Sequence, residues 1–141
     1  MRSSMRPVFV IGLVVLVVAI VVEISEWRKG NAKEVIPWRS DLTAAQTEGR
    51  QTHRLIFAYF TADWCTYCQQ MKSTTWADNS VKIALEKYVP VKIDSDAHRE
   101  LSARYQVNGL PEFLILDEGG NELRREGGMM PAEDMVAWLA K

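Results

Sequence analysis

The chain has 141 residues and a formal net charge of −1, with 48% of its residues hydrophobic and 25% charged. That length suffices for one domain and a modest appendage, and the balance excludes a disordered chain and a multi-span membrane protein. No clustered basic stretch supports a nucleic-acid binder, so no nucleic acid is expected as a partner.

Apolar residues concentrate at the front, where Val8 to Val22 form an unbroken run behind Arg2 and Arg6. At about 1.5 Å per residue the run is shorter than the roughly 20 residues of a typical span. Pro7, Ile24 and Trp27 extend it to a marginal transmembrane helix. Basic residues precede the run, whereas Glu23 and Glu26 balance Arg28 and Lys29 behind it, which favours an inside N-terminus and an exported C-terminal part. A cleaved signal peptide has an apolar core of similar length, although Val22-Glu23-Ile24-Ser25-Glu26 offers a poor cleavage site. A buried core helix would need cover on every side. The expectation is an anchor or signal over 1–24, membrane contact through 7–24, a polar tether over 25–37 and a folded domain over 38–141. Without residues 1–30 the chain keeps 13 basic and 16 acidic residues, a net charge of −3.

Ser40 is a plausible N-cap for a helix through Leu42 and Ala45 to about Glu48, with Gly49 ending it. Leu55 to Thr61 is a short apolar run and suits a buried strand. Helical pattern follows Cys65, with Met71 one turn beyond Cys68, and weakens at Thr74 and Thr75. Asp78, Asn79 and Ser80 offer caps for a helix from Val81 to Tyr88, whose apolar positions Val81, Ala84, Leu85 and Tyr88 share one face. Val89 to Asp94 reads as a strand limited by Pro90, and His98 to Tyr105 as a short helix. Glu112 to Leu116 and Glu122 to Glu126 are strands joined by a hairpin turn over 117–121. Pro131 starts a last helix carrying Met135, Val136, Trp138 and Leu139. The order α, β, α, α, β, α, β, β, α indicates a mixed α/β fold with helices on both sheet faces.

Two cysteines are too few for a disulfide scaffold or a Cys-only zinc site. Cys65 and Cys68 stand where a strand gives way to a helix, and a Cys at a helix N-terminus meets unpaired N–H groups and the positive dipole end, which favour thiolate. With two residues between them, the second thiol can resolve a mixed disulfide formed by the first. The first should cap the helix from outside and the second lie one turn in, so exposure makes Cys65 the attacking residue and Cys68 the resolving one. Two other uses remain open. A structural disulfide here would close a tiny loop and be a weak staple. A metal site would have to recruit His53 or His98, and neither has ligand spacing to the pair. The closeness of CxxC to a βαβ pattern favours redox exchange.

Residues 36 to 141 resemble the thioredoxin superfamily, and most of all the exported C-terminal domain of transmembrane thiol:disulfide interchange proteins. The resemblance rests on Ile36-Pro37-Trp38, on Phe57 to Cys68 with its Trp64-Cys65-Thr66-Tyr67-Cys68 motif, on Thr75 to Val81, and on Val107-Asn108-Gly109-Leu110-Pro111. It implies a thioredoxin-like fold, a central mixed sheet with helices on both faces, which the apolar run at the front would set behind one N-terminal transmembrane helix. It also implies thiol–disulfide oxidoreductase activity, of protein-disulfide reductase type, through Cys65 and Cys68 with no cofactor beyond that redox-active pair. Pro111 would be cis and lie against the pair, and Leu110 would offer its backbone to an extended substrate strand. Trp64, Thr66, Tyr67 and Glu112 would support the site. Expected partners are protein disulfides and a membrane thiol carrier as electron donor, for a monomer on the periplasmic side of a bacterial inner membrane. A disulfide-forming oxidase and a redox-silent metal-delivery module on the same fold are the alternatives.

Three positions depart from the family pattern: Tyr59 stands where thioredoxins carry a buried Asp, Glu112 where Thr often follows the loop proline, and Gln69 where Lys often follows the second Cys. Trp64 is read either as a shield over the pair or as a core aromatic, and Asp63 as a turn residue or a proton acceptor. Met129 and Met130 make either an exposed apolar patch or loop packing, His98 begins a surface helix, and Trp38, Trp76 and Trp138 pack. Asp63, and Glu112 if it adjoins the pair, would raise a thiol's pKa. A less stabilised thiolate would make the protein a reductant rather than an oxidant.

Overall fold

The strand Leu55–Thr61 (β1) is the hub, because an apolar run this short buries both faces only when it is flanked by strands and covered by helices. The computed structural model describes residues 11–20 and 36–141. The chain divides into two compact units, Met1–Glu34 and Val35–Lys141. In the first, residues 11–20 are helical (α1) and exposed. Among the described residues no helix is long and apolar enough to cross a membrane. The anchor or signal over 1–24 and the tether over 25–37 fall largely on residues 1–10 and 21–35, which lie outside the described residues.

In the second unit β1 is followed by α3 (Thr66–Ser73), a 3-10 turn (Thr75–Ala77), α4 (Asn79–Leu85), β2 (Tyr88–Asp94), α5 (Arg99–Arg104), β3 (Glu112–Leu116), β4 (Glu122–Gly127) and α6 (Ala132–Leu139), with α2 (Leu42–Thr52) ahead of it. The sheet order is β2-β1-β3-β4. β2 runs parallel to β1, while β3 and β4 are antiparallel to their neighbours. Pro90 is tolerated inside β2 because its backbone faces outward: its carbonyl accepts from Arg39 N at 2.9 Å, so the missing N–H is not lost from the ladder with β1.

Alternation along the strands sorts the core into two layers. Phe57, Tyr59, Phe113 and Ile115 pack with Met71, Val81, Leu85, Met135 and Trp138. Ile56, Ala58, Phe60, Leu114 and Leu116 pack on the other face with Leu42, Ala45 and Tyr105. Each fully buried side chain of the Phe or Leu kind contributes roughly 1.5–3 kcal/mol.

Several boundaries differ from the sequence expectation. Asp41, not Ser40, caps α2, its Oδ1 accepting from Ala44 N at 2.6 Å. Gly49 does not end that helix. It lies inside, where a Cβ would stand 2.9 Å from the Arg54 carbonyl, and His53 closes the helix in the left-handed region at φ 53°. α4 stops at Leu85 and Tyr88 opens β2 instead, because its backbone pairs with Leu55 and its hydroxyl donates to Leu139 O at 2.8 Å. α5 is shorter than expected, with His98 and Tyr105 as its caps.

Candidate functional site

β1 delivers the chain to a turn at Ala62-Asp63-Trp64, and the chain re-enters as α3 with Cys65 as its N-cap. A cysteine replaces the usual hydroxyl or carboxylate there: its Sγ accepts from Cys68 N at 3.2 Å. Cys65 N donates back to Ala62 O at 3.1 Å, so the turn is tied at both sides of the residue. Cys65 and Cys68 are joined as a disulfide with Cα atoms 5.2 Å apart. Both are only 3% exposed, so exposure does not separate their roles as the sequence argument supposed. The cap position does distinguish them. The sulfur that receives a backbone N–H at a helix N-terminus is the one whose thiolate form is favoured on reduction, and that sulfur belongs to Cys65.

The pair belongs to the aromatic layer. Tyr59 is buried on the same face, its ring centroid 5.0 Å from Trp76 and 5.6 Å from both Trp38 and Phe113. The Leu110–Pro111 peptide is cis. Pro111 is buried and its carbonyl accepts from Gly128 N at 2.8 Å, while half-buried Leu110 packs against both layers.

Other expected site residues are placed differently. Trp64 is not a core aromatic: it is 68% exposed, and its Nε1 donates to Asp96 Oδ2 at 2.8 Å, tying the active turn to the segment after β2. Thr66 and Tyr67 are exposed beside it in the first turn of α3. Asp63 is exposed, and its carbonyl accepts from Gln69 Nε2 at 3.3 Å. Met129 is half-buried and Met130 buried, with the Met130 carbonyl accepting from Thr75 Oγ1 at 2.6 Å, so the pair is loop packing rather than an exposed patch.

Glu112 requires the largest correction. It follows Pro111 in sequence, but it shares strand parity with Leu114 and Leu116 and therefore faces the aliphatic layer, across the sheet from the thiols. Its carboxylate is bound by the Arg125 guanidinium. The unpaired charge beside the thiols that the sequence reading assumed is absent, and the argument for a raised thiol pKa loses that half of its support. Arg125 was missed by the sequence reading, since a strand with two Arg and two Glu among Glu122 to Gly127 reads as solvated. The Glu122 carboxyl is held below the usual glutamate range chiefly by its hydrogen bond with Arg125. The same bond, opposed by burial and reinforced by Glu112, fixes Arg125 more firmly in its charged form. Among the described residues no group of three or more His, Cys, Asp and Glu is placed to hold a metal ion.

A disulfide of two cysteines three apart, the first capping a helix behind the central strand of a mixed sheet with a cis-proline loop, defines a thiol–disulfide oxidoreductase site on a thioredoxin-like fold. The family model for the thioredoxin-like domain matches residues 41–141, and the chain belongs to that family. It is similar to the thiol:disulfide interchange protein DsbD of Pasteurella multocida, 34% identical over 86 residues that cover 57% of this chain and 15% of that protein. The chain thus spans about one seventh of the length of that relative. Among solved structures it is similar to a thioredoxin from Thermus thermophilus, with TM-score 0.66, 28% identity, and coverage of 75% of this chain and 85% of that one. The oxidised C-terminal domain of Neisseria meningitidis DsbD shares the fold, with TM-score 0.62, 23% identity, and coverage of 73% and 97%.

Proposed function

We propose that this protein is a membrane-tethered thiol–disulfide oxidoreductase that reduces or isomerises disulfides in exported proteins. The observation that carries the reading is the Cys65–Cys68 disulfide with Cys65 Sγ at the N-cap of α3, accepting the Cys68 N–H. In the reduced protein the Cys65 thiolate attacks one sulfur of a substrate disulfide, forming a mixed disulfide and expelling a substrate thiolate. Cys68, having lost its proton, then attacks Cys65 Sγ, which closes the Cys65–Cys68 bond and releases the second substrate sulfur as thiolate. Two electrons reach the substrate and the pair is oxidised, so no separate cofactor enters the cycle. A membrane thiol carrier returns the electrons, in keeping with the thiol:disulfide interchange proteins that the chain resembles.

The charge asymmetry around Val8–Val22 supports an N-in, single-pass anchor in a bacterial inner membrane, with the domain on the periplasmic side. The reducing direction rests on the lack of Lys, Arg or His within Trp64 to Cys68, so that the helix N-terminus alone favours the Cys65 thiolate.

Insulin reduction with dithiothreitol tests the activity. Wild type should accelerate precipitation of the insulin chains, while Cys65→Ser and Cys68→Ser should not, and Cys68→Ser should accumulate mixed disulfides. Equal turnover by all three proteins would overturn the reading.

A further inference from the structure

The segment from Gln106 to Pro111 joins α5 to β3 and carries both Leu110 and the cis peptide. Its start is conformationally demanding, with Gln106 in the left-handed region at φ 53°. The last carbonyls of α5 are already taken, Ser102 O by Val107 N and Ala103 O by Gln106 N, which leaves those of Tyr105 and Gln106 to find partners outside the helix. One side chain on another strand meets these needs. Arg125 Nη2 donates to Tyr105 O at 2.5 Å, and Nη1 reaches Gln106 O at 3.5 Å. The same Nη1 donates to Glu112, the residue at the far end of the segment.

Register explains why Arg125 can do this. It pairs with Leu114 across the β3–β4 ladder, which puts it on the aliphatic face diagonally beside Glu112, whose own partner is Gly127. Glu122 then fixes the guanidinium from behind, accepting from Nε at 3.0 Å and from Nη2 at 2.6 Å. A surface pair between Arg125 and Glu122 alone would contribute little. A planar fork that also reaches two backbone carbonyls and a second, largely buried carboxylate restrains two chain segments at once.

We propose that Arg125 is a positioning residue: its guanidinium clamps both ends of the 107–111 loop and thereby holds Leu110 and Pro111 in the arrangement that receives an extended segment of a protein substrate. The proposal rests on the oxidoreductase reading of Cys65 and Cys68 and deepens it. Arg125 lies on the opposite sheet face from the disulfide, so it governs how the substrate is received and not the thiols' own chemistry.

The test compares wild type, Arg125→Met and Arg125→Lys by amide hydrogen exchange, insulin-reduction kinetics and equilibration with glutathione. The amides of Gln106 and Val107 are bonded to Ala103 O at 3.1 Å and Ser102 O at 2.9 Å, and they report on the loop without any turnover. In Arg125→Met they should exchange roughly tenfold faster, with Ala58 and Leu114 in the sheet within about twofold of wild type. KM for insulin should rise about fivefold while kcat and the glutathione equilibrium constant change by less than about twofold. Arg125→Lys keeps the charge but not the fork and should behave like the Met variant. Unchanged exchange at Gln106 and Val107, uniform acceleration across the sheet, or recovery in Arg125→Lys would overturn the clamp. A loosened loop with unchanged KM would overturn its role in receiving substrate. A wild type without insulin turnover would instead strike at the oxidoreductase reading, and the exchange comparison would still decide the clamp.

Discussion

The two faces of the sheet are built from different materials. The face covered by α3, α4 and α6 is aromatic and holds the disulfide, with Phe57 within 6.2 Å of the Trp38, Trp76, Phe113 and Trp138 ring centroids. The face covered by α2 is mainly aliphatic and carries the Arg125–Glu112–Glu122 cluster at its margin. Redox chemistry and fixed charge are thus separated by the thickness of a β-sheet, although Glu112 and Pro111 are neighbours in the chain. Adjacency in sequence within a strand means opposite faces, so a charge next to a site in sequence can be electrically remote from it.

The largest effect that contrasts the faces is in packing. Phe57→Ala should cost about 3–5 kcal/mol and fall near the top of that range, since four other rings border the space it leaves, whereas Phe60→Ala on the aliphatic face, with the Tyr105 ring beside it, should fall near the bottom. Urea unfolding of both variants measures this, and equal losses would remove the distinction between the layers.

A smaller effect comes from the ion pairs. Glu122, held low chiefly by its hydrogen bond with Arg125, and Glu48, held low chiefly by its hydrogen bond with Arg39, both have folded-state pKa values below the ordinary glutamate value of 4.5. A depressed carboxylate pKa stabilises the fold above the unfolded value, and that contribution is lost as pH falls through the folded value. Because both pairs are partly open to solvent, each should contribute less than about 1 kcal/mol. Stability should therefore be flat above about pH 5 and decline below it, with the decline reduced in Glu122→Gln. An undiminished acid decline in that variant would show that Arg125 draws nothing from Glu122.

The smallest expected change is the sharpest test of separation. Glu112→Gln should leave the Cys65 thiolate titration of the reduced protein where it is, measured by thiolate absorbance against pH. A clear fall in the Cys65 pKa would mean that the carboxylate acts on the thiols through the sheet, and the two faces would have to be treated as one electrostatic unit.

The parts of this protein visible in its sequence are those governed by neighbours along the chain. The strand Leu55–Thr61, the helix start at Cys65, the hairpin around 117–121 and the strand Glu112–Leu116 follow from apolar runs, turn residues and cap chemistry acting over a few positions. The Cys65–Cys68 pair was legible for the same reason, because its spacing and its place at the strand–helix junction are local. Other features depended on contacts that a periodic pattern does not encode. Tyr88 fits a helical face by spacing, yet it joins β2 because Leu55 and Leu139 offer its backbone and hydroxyl better partners. Trp64 has the composition of a core residue, but the turn projects it into solvent, where Asp96 takes its N–H. Gly49 looked like a helix stop, and only the approach of the Arg54 carbonyl shows why a glycine is needed there. Sequence alone determined where the dithiol chemistry sits. The register of β3 against β4, a property of two strands and not of either one, decided that Glu112 turns from the thiols toward Arg125.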